Sequence, residues 1–124
     1  MTDSAAASRD TGGLFAAIDR QDAAAFVGYL ADDAVFRFGS AQAVQGKASI
    51  QTAVDGFFGT IAGCSHVVHN TISSGSTLVC EGEVTYTRHN GTEITLPFTD
   101  VFEYDGDQIA QYKIYLDVHP LYAE

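Results

Sequence analysis

Apolar and polar residues alternate along the stretch from Ile94 to Tyr104, and the one acid on its apolar side is Asp100. A repeat of two residues predicts a β-strand with one buried face, because successive side chains of a strand point to opposite sides of the sheet. A carboxylate on such a face must be paired, hydrogen-bonded, protonated or next to water in a cavity, since burying a bare charge is costly. Asp100 is therefore the first candidate for a functional residue; the alternative is an aspartate that braces a neighbouring backbone.

The rest of the pattern changes from helical to strand-like along the chain. Apolar residues at 14–18, 26–30 and 50–61 follow helical spacing, with Asp22 as the candidate N-cap of the second helix and a short strand at 35–38. Helices followed by an antiparallel meander predict an α+β fold, in which three N-terminal helices pack on a mostly antiparallel sheet. The later strands are predicted at 66–73, 78–88, 92–104 and 109–118.

The turn at Asn90-Gly91 determines which side chains meet across the sheet. As a two-residue hairpin loop, it places Glu81 opposite Asp100 and Glu83 opposite Phe98. Facing carboxylates do not both ionise easily, and a shared proton in an apolar pocket suits general acid–base chemistry. A one-residue slip or a bulge would instead send Glu81 and Glu83 to solvent. The sequence leaves both alternatives open.

Neighbouring strands supply further polar candidates. If Gly75-Ser76 forms the preceding two-residue loop, Asn70 lies opposite Glu81. His66 then shares the face of Asn70, whereas His69 has the opposite parity. Both histidines are candidates to assist proton transfer, although a lone histidine in a strand is more often structural than catalytic.

The facing of the last strand depends on the turn within residues 105–107. A two-residue turn puts Tyr115 and Asp117 on the inner face, whereas a three-residue turn puts Tyr112 and Ile114 there, and the apolar pattern favours the second. Apolar residues of both parities near the C-terminus also predict a homodimer, because one chain can cover only one face of the sheet with its own helices.

Length and charge narrow the class of protein. The 124 residues fit one compact domain, with residues 1–10 as a flexible tail and 11–124 as the folded domain. A net charge of −10 argues against nucleic acid and anionic membranes as partners. No apolar run approaches the roughly 20 residues that span a bilayer, and the N-terminus lacks a signal pattern, so a cytoplasmic protein is expected.

The two cysteines, Cys64 and Cys80, are expected to be reduced and buried. In the register above they point to opposite faces of the sheet, so they cannot bond to each other. Neither has a CxxC partner or a histidine at a zinc-ligand spacing, and the chain has no glycine-rich phosphate loop or nucleophile elbow. The sequence therefore predicts no metal and no cofactor.

Most of the chain resembles a known family. The segments LADDAVFRF, QGKASIQTAVDGFF and EGEVTYTRHNGTEITLPFTDVFEYDGDQIAQYKIYLDVHPLY are similar to the SnoaL-like branch of the nuclear transport factor 2-like superfamily. The resemblance implies a curved sheet wrapped around helices, which together form a cone with an apolar pocket. It also implies a homodimer through the outer face of the sheet. Members of the superfamily include isomerases, epoxide hydrolases, cyclases and non-enzymatic proteins.

The resemblance also implies roles for single residues. Asp100 matches the acid of ketosteroid isomerases that stabilises the oxyanion, whereas Phe38 stands near the position of their base. Glu83 and Asp117 match the two acids of limonene-type epoxide hydrolases, and Glu81 stands where those enzymes have an arginine. Neither of these two catalytic sets is therefore complete in this chain.

These observations predict a pocket that binds a small apolar or cyclic molecule, with cofactor-independent proton transfer of the isomerase, cyclase or hydrolase type. Asp100 with His66 or His69 is compatible with the proton abstraction of SnoaL-type cyclases. The alternative is a non-catalytic module for small-molecule binding or dimerisation. The residues expected to line the pocket are Tyr29, Phe36, Phe38, Asn70, Phe98, Phe102 and Tyr115.

Overall fold

The computed structural model describes residues 10–123, so residues 1–9 of the predicted tail lie outside the described part of the chain. Helices are followed by a six-stranded, mixed and open sheet, which confirms the α+β prediction. The helices are α1 (Thr11–Asp19), α2 (Ala23–Val27), α3 (Lys47–Phe58) and α4 (His119–Tyr122). The strands are β1 (Leu30–Phe38), β2 (Val44–Gln45), β3 (Gly63–Ser74), β4 (Thr77–Thr87), β5 (Glu93–Asp105) and β6 (Gln108–Tyr115). Their order in the sheet is β2-β1-β6-β5-β4-β3, and β1 pairs with β6 in parallel.

Aspartate side chains begin the first two helices. Asp10 accepts a hydrogen bond from the N–H of Gly13 at 2.8 Å, and Asp22 accepts one from the N–H of Ala25 at 3.0 Å. These bonds satisfy backbone donors that have no partner within the helix. The second helix is shorter than its apolar spacing predicts, because Leu30 begins β1 and pairs with β6 instead of continuing the helix.

The hairpin between β4 and β5 has a longer loop than predicted. The N–H of Arg88 donates to the carbonyl of Thr92 at 2.8 Å and closes a three-residue loop, within which the N–H of Gly91 donates to the carbonyl of Arg88 at 2.9 Å. Gly91 has a φ of +87°, a left-handed conformation that favours glycine in such loops. The extra loop residue moves the register by one position, so that Cys80 rather than Glu81 lies opposite Asp100. The predicted pair of facing carboxylates therefore does not form.

A bulge in β3 changes which of its side chains face the helices. Asn70 lies opposite Glu81 as predicted, but the register shifts between Val68 and Asn70. Gly82 of β4 lies opposite this shift, and a Cβ there would overlap the backbone of β3. Glycine is needed at this close approach of two strands. Because of the shift, His66 faces the helices although Asn70 faces away from them.

The last strand combines the two predicted alternatives. Its turn is the short one, with Asp105 opposite Gln108, but the register shifts again within the next pairs. Tyr112 is therefore buried on the inner face, and Tyr115 is 57% exposed on the outer face. The apolar pattern predicted the correct facing, although a bulge rather than a longer turn produces it.

The inner face of the sheet packs against α1, α2 and α3 to form the apolar core. Cys64 and Cys80 are free thiols, and both are buried on this face. The prediction that they point to opposite faces is wrong, because the β3 bulge between Val68 and Asn70 turns Cys64 to the inner face, where Cys80 also lies. Within residues 10–123, every helix is too short or too polar to cross a membrane.

Candidate functional site

A cavity of about 200 Å³ lies between the helices and the inner face of the sheet. Aromatic rings form much of its wall and meet edge to face, with the Phe57 ring 4.8 Å from that of Phe38 and 5.6 Å from that of Tyr86. Among the described residues that line the cavity, none is lysine or arginine. The polar or titratable side chains at the wall are those of Gln42, Cys64, His66, Tyr86, Asp100 and Tyr112.

Asp100 is the one carboxylic acid among the described residues of this wall, and only 1% of it is exposed. Its Oδ2 accepts a hydrogen bond from the Tyr112 hydroxyl at 2.8 Å. Its Oδ1 is buried and has no hydrogen-bond partner within residues 10–123. Burial raises the pKa of this carboxyl group to about 7, and the hydrogen bond from Tyr112 opposes the rise. Near neutral pH the group therefore exchanges a proton readily.

Burial, rather than a second acid, keeps the proton on Asp100. Its neighbours across the sheet are Cys80 on β4 and Ile114 on β6, and neither is a carboxylate. Burial also raises the pKa of the Tyr112 hydroxyl well above its ordinary value, so Tyr112 keeps its proton and stays a donor. The site thus has one proton that moves easily and one that does not.

His66 brings a second titratable group to the cavity wall. Its Nδ1 lies 2.6 Å from Oδ1 of Asp19, and its backbone N–H donates to Oδ2 of the same carboxylate at 3.0 Å. Because a carboxylate accepts, Nδ1 carries the proton, and Nε2 of the neutral ring is left as an acceptor. The rings of Phe15 and Phe98 pack against the imidazole at 5.0 and 5.2 Å. Burial lowers the pKa of His66, and Asp19 opposes that change.

Cys64 completes this cluster at the junction of α1 and β3. Its Sγ lies 3.8 Å from Oδ1 of Asp19 and 3.8 Å from Nδ1 of His66. Burial raises the pKa of the Cys64 thiol, and the nearby Asp19 carboxylate raises it further. Asp19 was not among the sequence candidates. It is far from Cys64 and His66 in sequence, and its place at the end of a helix carries no signal of this contact.

The structure places some of the predicted pocket residues around the cavity and others behind its wall. Phe102 is fully buried, but its ring packs on that of Tyr112 at 4.5 Å and does not reach the cavity. Tyr29 is half-buried, with its hydroxyl beside Gly13 of α1, and also lies outside the wall. The predicted residues that do line the cavity are Phe36, Phe38, His66, Phe98 and Asp100.

Five predicted site residues lie on the outer face of the sheet instead, and the four on β3 and β4 contact one another in pairs. Glu81 and Glu83 are exposed there because of the three-residue loop, which corrects their predicted place beside Asp100. Asn70 donates to the Glu81 carboxylate at 2.6 Å, and Nε2 of His69 lies 3.6 Å from that of Glu83. The β3 bulge puts both partners on this face. These side chains therefore form exposed pairs rather than part of the cavity.

The acids that matched epoxide hydrolases are not assembled in one site. Asp117 follows β6, is exposed, and accepts a hydrogen bond from the backbone of His119 at 3.1 Å. Tyr115, which would share its side of β6, is on the outer face. Glu83 lies on that outer face too, whereas Asp100 lines the cavity.

Comparisons with known proteins agree with this architecture. A SnoaL-like domain family model matches residues 12–112, and no curated protein matches the chain. An NTF2-like protein of unknown function from Burkholderia pseudomallei is 17% identical, with a TM-score of 0.84 over 97% of this chain and 95% of that one. A hypothetical protein with a ketosteroid isomerase-like fold from Catenulispora acidiphila, in complex with trimethylamine, is 14% identical, with a TM-score of 0.79 over 85% of this chain and 82% of that one. An LEH-like epoxide hydrolase from M. tuberculosis is 20% identical, with a TM-score of 0.76 over 91% and 84%.

Proposed function

The chain belongs to the SnoaL-like domain family, and on that premise we propose that it catalyses cofactor-independent proton transfer on a small, uncharged, apolar or cyclic molecule held in the cavity. The observation that carries this proposal is the buried Oδ1 of Asp100, which has no partner within the described chain. His66 lines the same cavity, so an acid and a base are available to one ligand.

Asp100 is the acid in this proposal. Tyr112 donates to Oδ2, so the proton of the neutral carboxyl group resides on Oδ1, where an oxygen atom of the substrate can accept it. A carboxylic acid that an apolar site keeps neutral can donate to developing negative charge at neutral pH. The surrounding aromatic rings exclude water and hold the apolar part of the ligand.

His66 is the base. Its Nδ1–H donates to Asp19, which leaves Nε2 to take a proton from a carbon atom next to a carbonyl group. The electron pair of the C–H bond moves towards the carbonyl oxygen, which receives the proton of Asp100 and becomes an enol. Return of a proton to another carbon gives an isomer, and attack of the enol carbon on a second carbonyl group closes a ring.

Hydrogen exchange at carbon tests the proposal without knowledge of the natural substrate. One- and two-ring ketones that bind the cavity are incubated in deuterated buffer, and NMR follows the exchange of their α-hydrogens. We expect wild type to accelerate exchange, Asp100→Asn to be slower by about 100-fold, and the outer-face variant Glu81→Gln to equal wild type. Exchange at the buffer rate with every bound ketone, or full activity of Asp100→Asn, would contradict the proposal.

A second candidate function is non-catalytic binding of an amine. The favouring observation is that Asp100 has no cationic partner among residues 10–123 and lies in a wall of aromatic rings, and both features attract an ammonium group. The structurally similar protein from Catenulispora acidiphila was solved with trimethylamine. The two candidates differ in the sign of the pH effect. Ammonium affinity rises as Asp100 ionises near pH 7, whereas affinity for a ketone oxygen falls because the donor proton is lost.

We also propose a homodimer through the outer face of the sheet and a cytoplasmic location. Val67, Ile72 and Tyr115 are large apolar or aromatic side chains that are more than half exposed on this face. The unpaired thiols are compatible with a reducing compartment. Light scattering that reports the 13.2 kDa mass of one chain at micromolar concentration would contradict the dimer.

A further inference from the structure

Three side chains that are potential metal ligands meet where the C-terminal end of α1 contacts the start of β3. They are Asp19, Cys64 and His66, and one ligand atom from each lies within 4.8 Å of the others. Cys64 and His66 are two positions apart on the same face of β3, so their side chains point in the same direction. They offer one sulfur, one nitrogen and one oxygen, a mixture that suits zinc-like ions better than magnesium or calcium.

We propose that Asp19, Cys64 and His66 form a binding site for one thiophilic divalent cation of the Zn²⁺ class. Bond lengths to zinc are about 2.3 Å for sulfur and about 2.0–2.2 Å for nitrogen and oxygen, so ligand atoms of a tetrahedral site lie roughly 3.3–3.6 Å apart. The two spacings that involve the Cys64 sulfur are both 3.8 Å. The Nδ1–Oδ1 spacing of 2.6 Å is that of a shared proton, and it must widen by about 0.7 Å when a metal replaces that proton.

Protons and charge balance in this exchange. The Cys64 thiol loses its proton to solvent, and the His66 proton moves from Nδ1 to Nε2, which frees Nδ1 for the metal. The charges of one thiolate and one carboxylate cancel the charge of a divalent cation. The occupied site is then neutral, which suits its partly apolar surroundings beside Phe15 and Phe98.

The surroundings provide both support and access. The backbone N–H of His66 donates to Oδ2 of Asp19 at 3.0 Å, which holds the carboxylate while Oδ1 remains the ligand. The side chain of Asp19 is 30% exposed, so an ion can enter from solvent. A fourth position can be taken by water. Metal and catalysis would compete, because metal binding at Nδ1 moves the His66 proton to Nε2, the nitrogen that acts as the base in the proposed function.

Cobalt binding tests the site directly and requires no enzymatic assay. Co²⁺ is added to the folded, reduced protein, and absorbance is followed for the thiolate-to-cobalt band in the near ultraviolet and for the visible bands of tetrahedral cobalt. We expect saturation at one equivalent and displacement by Zn²⁺. Cys64→Ser should lose the thiolate band, Asp19→Asn should bind at least roughly tenfold more weakly, and Cys80→Ser should behave as wild type.

Cys80 is a matched control because it is also a free, buried thiol on the inner face. Its Sγ lies 3.9 Å from the Thr71 hydroxyl, and it is not a member of the ligand cluster. If Cys64→Ser fails to fold, alkylation of the wild-type thiols tests the site instead. Zn²⁺ should slow the alkylation of Cys64 but not that of Cys80, as mapped by mass spectrometry. Absence of the thiolate band in wild type, its persistence in folded Cys64→Ser, or equal alkylation of Cys64 with and without Zn²⁺ would overturn the proposal.

Discussion

Asp100 and Glu81 are carboxylic acids on adjacent strands, one register position apart, but they lie on opposite faces of the sheet. Asp100 is buried in an aromatic wall, and burial raises its pKa to about 7. Glu81 is exposed and accepts a hydrogen bond from Asn70 at 2.6 Å. The face of the sheet, rather than the neighbouring sequence, therefore decides which acid meets an apolar cavity and which meets water.

The largest expected difference between the two acids is in the pH dependence of unfolding. The pKa of Asp100 is about 7 in the folded protein, against an ordinary value of 3.8. Because the folded state holds this proton more tightly, the stabilisation is complete below the ordinary pKa and is lost as pH rises to about 7. The loss is at most on the order of 4 kcal/mol, at about 1.4 kcal/mol per pH unit.

Denaturant unfolding of three proteins at several pH values measures this effect. The stability of wild type relative to Asp100→Asn should fall between about pH 4 and about pH 7 and then level off. Glu81→Gln should follow the wild-type curve, because an exposed carboxylate is solvated in the folded and unfolded states alike. A wild-type curve parallel to that of Asp100→Asn would show that burial does not hold the proton of Asp100.

The next largest effect concerns Gly82, which lies opposite the β3 bulge. That bulge turns His66 to the inner face and leaves Asn70 on the outer face. Gly82→Ala would place a methyl group against the backbone of β3, so either the bulge or the pairing must change. We expect a loss of about 2–4 kcal/mol in the free energy of unfolding. Gly56→Ala is the control, since nothing lies within 4 Å of a Cβ at that exposed helical position, and alanine should stabilise α3 by roughly 0.5–1 kcal/mol. Equal stability of the two variants would contradict this role of Gly82.

Two features of the strand register limited what the sequence could predict: the loop at Gly91 and the close approach of strands at Gly82. The alternation around Asp100 predicted its buried facing, and helical spacing predicted α1 and α3, because both depend on one element at a time. The third loop residue at Gly91 and the close approach at Gly82 were not predictable in this way, since two strands together decide them.

The same limit applies to the candidate site: a residue marked by the pattern of its own strand could be predicted, and a contact between distant elements could not. Asp100 could be found because an acid interrupts an apolar stripe on its own strand. Asp19 could not, because its contact with His66 joins the end of a helix to a distant strand. Glu81 and Glu83 were misplaced because a single extra loop residue reverses the facing of the β4 side chains relative to those of β5.

Asp100→Asn should also reduce turnover more than it reduces binding. The amide keeps the size of the side chain and accepts the Tyr112 hydrogen bond, but it has no proton to exchange near neutral pH. In the exchange assay we expect a decrease of about 100-fold in rate at saturating ligand, with a much smaller change in ligand affinity. If affinity and rate fall together, Asp100 contributes to ligand binding rather than to proton transfer.

Tyr112→Phe should shift the pH at which Asp100 ionises. The hydroxyl of Tyr112 donates to the carboxylate and opposes the effect of burial, so its removal should raise the pKa of Asp100 further. The fall in stability should then begin at the same pH as in wild type but continue to higher pH, with a loss of about 1–3 kcal/mol at neutral pH, because a second carboxyl oxygen loses its partner. A transition that stays at the wild-type pH would show that this hydrogen bond does not control the acid.

The smallest expected effect is on the outer face, where Asn70→Ala removes the hydrogen bond to Glu81. That bond is short at 2.6 Å, but both side chains are exposed. Water replaces the amide as donor to the carboxylate, so removal of Asn70 leaves no buried group without a partner. We expect a change within about 0.5 kcal/mol in the free energy of unfolding, measured beside Tyr112→Phe at the same pH.

The two variants Asn70→Ala and Tyr112→Phe each remove one hydrogen bond to a carboxylate, and the structures around them differ chiefly in access to water. If Asn70→Ala costs as much as Tyr112→Phe, the face of the sheet does not set the importance of these bonds, and the contrast between Asp100 and Glu81 must have another cause.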